Sequence, residues 1–127
     1  MKKILVSDDR VNSEFSLSLR KEMLDRVVSE TCGEGSTVIY EYNLSLCAKY
    51  IAEEEVDALI IPRSHVAVSV IRNIERLLEG DIEIPLLKAY AMLEGRGYDT
   101  EYDHKMREGQ NMYNSIGNWL KREVVGK

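Results

Sequence analysis

Two short clusters carry the side chains best suited to chemistry. Arg63-Ser64-His65 sets a forked cation, a hydroxyl and an imidazole side by side. A guanidinium grips an anion through paired hydrogen bonds, and an imidazole exchanges protons near neutral pH. Asp8-Asp9 supplies two successive carboxylates, the donor type that Mg²⁺ accepts together with water, and Tyr90 adds a phenol. Together these residues suit a small anionic ligand, phosphorylated or carboxylated. With Asp8 or Asp9 and His65 as base and acid, isomerisation of a sugar phosphate is one reaction of that class.

Each cluster also has a plainer reading. Adjacent strand residues point to opposite faces, so Asp8 and Asp9 can be one exposed acid and one turn or cap residue. Ser64 suits a helix N-cap, with Arg63 and His65 in solvent or paired with the two acids. Residues 7–12 contain no glycine, which removes the dinucleotide and P-loop fingerprints. Cys32 and Cys47 lie in no spacing suited to a metal or a redox pair, and Cys47 has no neighbouring histidine. Two unpaired thiols fit a reducing compartment, and a cytoplasmic location is expected. No cofactor is expected, with Mg²⁺ at Asp8 and Asp9 the one candidate.

The elements that position these residues are legible as an alternation. Ile4-Leu5-Val6, before Ser7-Asp8-Asp9, reads as a first strand that stops in polar residues. From Asn12 to about Glu30, Phe15, Leu19, Met23 and Val27 recur every four residues, with Leu24 and Val28 beside them, the stripe of an amphipathic helix capped by Asn12 or Ser13. Gly33 and Gly35 punctuate the chain before Thr37-Val38-Ile39-Tyr40-Glu41-Tyr42, a β-branched and aromatic run suited to an edge strand. Leu44, Cys47, Ala48 and Ile51 mark a second helix that closes in the solvated acids Glu53-Glu54-Glu55.

Asp57-Ala58-Leu59-Ile60-Ile61 is apolar after one acid, the pattern of a strand covered on both faces and therefore central. A third helix carries the stripe Ala67, Val70, Ile71, Ile74, Leu77 and Leu78, with Gly80 at the place of a C-terminal cap. The run from Ile84 to Ala91 reads as a fourth strand, set at an edge by Pro85 and Lys88. Residues 93–104, with Tyr98, Tyr102 and His104 in them, read as a loop, a lid over the strand ends or a further strand. Met106, Tyr113, Ile116, Leu120 and Val124 give a last helix that contains Gly109 and Gly117, so packing must supply its stability. Met112, Tyr113 and Trp119 on it are either a patch for a partner or a second copy, or, for Trp119, half-buried packing.

Strand and helix alternate throughout, which implies right-handed crossovers and a parallel sheet between helix layers. Two central-type strands and two edge-type strands select the order 2-1-3-4. The expected fold is a three-layer αβα sandwich, flavodoxin-like, over residues 1–127 as a single domain. Ligands in such sheets bind beyond the carboxyl ends of the strands where the order reverses, here between the first and third strands. That rule nominates Ser7, Asp8, Asp9, Arg10, Pro62, Arg63, Ser64, His65 and Tyr90.

Composition excludes some partners. With 17 Lys and Arg against 22 Asp and Glu the net charge is −5, and no basic run is present to neutralise successive phosphates, so nucleic acid is not expected. The apolar runs are far shorter than the roughly 20 residues a membrane helix needs. Met1-Lys2-Lys3 precedes no apolar segment of the signal-peptide kind. The expected partner is a protein or a small anionic ligand, with a homodimer among the options.

Residues 1–92 resemble a degenerate receiver domain of the two-component response regulators. Lys3-Ile4-Leu5-Val6-Ser7-Asp8-Asp9 is similar to the family's first strand and acidic pair, Val56-Asp57-Ala58-Leu59-Ile60-Ile61 to its third strand, and Ile84-Pro85-Leu86-Leu87 to the start of its fourth. The resemblance implies a signalling module whose acidic pair holds Mg²⁺ beside a phosphoryl-accepting aspartate. Here Pro62 stands at the acceptor position and Tyr90 at that of the family's Ser or Thr. Residues 93–101 offer no counterpart to its lysine-bearing fifth strand. The resemblance therefore implies a receiver-like shape without aspartyl phosphorylation.

Overall fold

Four apolar runs pair into one sheet, and the helices between them cover its two faces. The computed structural model describes residues 1–7, 14–61, 67–88 and 114–126; within the first helix it describes the side chains of Glu22 and of residues from Leu24 onward. The elements are β1 (Lys3–Ser7), α1 (Glu14–Cys32), β2 (Thr37–Glu41), α2 (Leu44–Glu53), β3 (Ala58–Ile61), α3 (Ala67–Leu78) and β4 (Leu86–Lys88). A last helix, α4, is α-helical over residues 114–120 and widens into a π-helical turn at Lys121–Val125. The strand order is β2-β1-β3-β4 and all three pairings are parallel, the flavodoxin-like arrangement expected.

Register is fixed at the amino ends of the strands. The Lys3 amide donates to the Asp57 carboxylate at 2.8 Å while the Asp57 amide donates back to the Lys3 carbonyl at 2.8 Å. On the other side of β1 the Thr37 amide donates to the Lys2 carbonyl at 2.9 Å, and the Lys2 amide to Ser36 Oγ at 3.0 Å. Asp57, the single polar residue before the β3 run, thus locks the start of the central strand pair. A one-residue slip there would send every side chain to the opposite face.

The two faces are filled separately. Ile4, Val6, Ala58 and Ile60 pack with Leu24, Val27 and Val28 of α1 and with Ile116, Trp119, Leu120 and Val124 of α4. Leu5, Leu59 and Ile61 pack on the opposite face with Cys47 and Ala48 of α2 and with Ala67 and Ile74 of α3. All four residues of β3 are buried, as the unbroken apolar run requires of a strand covered twice. Each such Leu or Ile contributes about 1.5–3 kcal/mol by leaving water. Gly117 sits where α4 meets α1, since a Cβ there would lie 3.3 Å from Val27 Cγ2 and 3.6 Å from Thr31 Cγ2. The helix cost of that glycine is thus offset by close packing.

Two expectations are corrected and one alternative is decided. Leu77 is 50% exposed, so the buried stripe of α3 runs through Ala67 and Ile74 with Val70, Ile71 and Leu78 at its margins. Trp119 is only 8% exposed and belongs to the core, so the packing reading of it holds and the partner patch does not. Gly80 is not the left-handed residue that ends α3: Glu79 takes that conformation at φ 58°, its amide donating to the Arg76 carbonyl and the Gly80 amide to the Glu75 carbonyl. These two bonds are the Schellman pair, shifted one residue toward the helix from where glycine stands. By contrast, α1 ends on a glycine, Gly33 at φ 96°, whose amide donates to the Ser29 carbonyl.

Pro85 precedes β4, lending only its carbonyl, which accepts from the Leu59 amide at 2.9 Å. β4 accordingly starts at Leu86, two residues after the expected Ile84, and the described strand is three residues long.

Candidate functional site

The carboxyl edge of the sheet follows directly from the pairings. Ser7 lies opposite Glu41, and Ile61 opposite Lys88. Val6 pairs with Ile60, which sets Ser7 and Ile61 at one level in neighbouring strands. The row across the sheet is therefore Glu41, Ser7, Ile61, Lys88. Alternation along each strand puts all four positions on the face covered by α2 and α3, because Leu5, Ile39, Leu59 and Leu86 two residues earlier pack there.

At the β1–β2 side of this row the polar groups are engaged with one another. The Glu41 carboxylate accepts from the Tyr42 and Asn43 amides, both at 3.1 Å, and so shapes the turn into α2. Asn43 is the N-cap of α2, extended at φ −79° and ψ 116°, with its side chain accepting from the Leu46 amide. That bond satisfies one of the helix's orphan donors. Cys47, fully buried one turn into α2, donates its thiol to the Glu41 carbonyl at 3.5 Å. Burial pushes the Cys47 thiol up to about 11; a hydrogen bond from Ser7 works against that rise and the charge of Glu41 adds to it. A thiol so placed stays protonated near neutral pH and is a weak nucleophile. Ser7, 5% exposed, is buried against it.

On the other face Tyr40 reaches from β2 to α1, its hydroxyl donating to Asp25 Oδ1 at 2.9 Å. Burial first, and then the bond to Asp25 and its charge, hold the phenol above its usual range. This pair ties the edge strand to its covering helix.

At the β3–β4 side, Lys88 is exposed at the end of β4 and α3 begins at Ala67 beyond the end of β3. Asp8, Asp9, Arg63, Ser64, His65 and Tyr90 lie outside the described residues, as do Arg10, Pro62 and residues 93–104. Of the nominated positions, Ser7 is the one whose surroundings are seen. Glu41 and Cys47 were not nominated from sequence. The signal for them was the edge assignment itself: a parallel neighbour ending level with β1 brings its last residue, and the helix that follows it, beside Ser7.

Among the described residues no three His, Cys, Asp or Glu side chains form a group able to hold a metal ion, and no helix is long and apolar enough to cross a membrane. Cys32 and Cys47 are both free thiols. Set against family models, curated proteins and solved structures, the chain matches none.

Proposed function

We propose that this chain is a receiver-like regulatory or protein-interaction module that does not accept a phosphoryl group, acting in signalling through a protein partner. The observation that carries the reading is the state of the described β1–β2 side of the carboxyl edge. Glu41, Asn43, Ser7 and Cys47 are bonded to one another or to their own turn, and the buried thiol is held protonated. Such an edge favours a fixed shape over acid–base or nucleophilic work. The sequence supports the same reading, since Pro62 follows Ile61 directly at the position where the resembling family carries its acceptor carboxylate.

The test is a thermal-shift series with Mg²⁺ and beryllofluoride, inorganic phosphate, sugar phosphates and nucleotides. A ligand that binds only the folded state stabilises it by RT ln(1 + [L]/Kd) and so raises the melting temperature. The expected result is no shift with Mg²⁺ and beryllofluoride; a clear stabilisation by that pair overturns the proposal. Stabilisation by a sugar phosphate that vanishes in Arg63→Ala, with the variant's own melting temperature unchanged, would move the function to an anionic-metabolite enzyme or binder built on Arg63, Ser64 and His65.

A further inference from the structure

We draw no further inference here: the strongest candidate, the open cavity of about 560 Å³ at the amino edge of the sheet between Lys2, Thr37, Glu55 and Asp57, carries nothing because two of its polar groups, Lys3 Nζ and the Asp57 carboxylate, are engaged with Glu54 and the Lys3 amide and nothing in the structure points to a ligand.

Discussion

Replacing Glu79 by glycine should stabilise the protein, while replacing Gly80 by alanine should not harm it. Glu79 holds φ 58° at the end of α3, and a left-handed conformation costs a residue with a Cβ about 1–2 kcal/mol. Glycine removes that cost but adds about 0.4–1 kcal/mol of freedom to the unfolded chain. The net gain is about 0.5–1 kcal/mol, which for a domain of this size raises the melting temperature by about 2–4 °C.

The charge must be separated from the backbone term, because an acid near a helix C-terminus opposes the dipole by about 0.3–1 kcal/mol. Glu79→Gln removes the charge and keeps the Cβ, so the Gly-minus-Gln difference isolates the conformational gain. Gly80 has no positive φ, and a Cβ there would meet nothing within 4 Å, so Gly80→Ala is expected to be neutral or stabilising by up to about 1 kcal/mol. Urea denaturation followed by the fluorescence of Trp119, the only tryptophan of the chain, reads all three variants on one scale. A loss of about 1 kcal/mol in Gly80→Ala, with no gain in Glu79→Gly over Glu79→Gln, would refute the reasoning and return the left-handed position to the glycine.

The remaining expectations concern the thiol, a helix contact and a cap. Because the Cys47 pKa is raised from 9.0 to about 11 on folding, its contribution is intact below pH 9.0 and is lost as pH rises to about 11, by about 3 kcal/mol in all. Denaturation midpoints measured across that window should fall, and Cys47→Ala should flatten the first part of the fall. The Tyr40 phenol, also raised by burial and Asp25, adds its own loss only above its ordinary 10.0. Thiol labelling of the native protein at mildly alkaline pH should modify Cys32, which is partly exposed, and spare Cys47 until the chain is unfolded; equal rates would contradict the buried placement. Gly117→Leu should cost about 1–3 kcal/mol by forcing α4 away from Val27 and Thr31, visible as a lower urea midpoint and a red-shifted Trp119 emission. Asn43→Ala should cost about 1 kcal/mol through the lost cap on α2, and an unchanged midpoint would show the Leu46 amide finding another acceptor.

The sequence by itself determined the alternation, the strand order and the sidedness of the core. Those properties rest on local patterns: the unbroken apolar run Ala58 to Ile61 demands two covered faces, and the mixed run from Thr37 to Glu41 tolerates an edge. Helix periodicity likewise located Val27 and Val28, Cys47 and Ala48, and Ile116 with Leu120 on buried faces. Tertiary structure decided what depends on register and on neighbours far along the chain. Asp57 reads in sequence as a polar residue before a strand, yet its carboxylate clamps the Lys3 amide, a partner 54 positions away. Glu41, Ser7 and Cys47 meet only because parallel pairing levels the ends of β1 and β2 and α2 folds back over them. Trp119 could be weighed from sequence as surface or interior, and only the approach of α4 to α1, allowed by Gly117, buries it. The end of α3 shifted for the same kind of reason: the hydrogen bonds of the final turn, not the position of the glycine, set which residue turns left-handed.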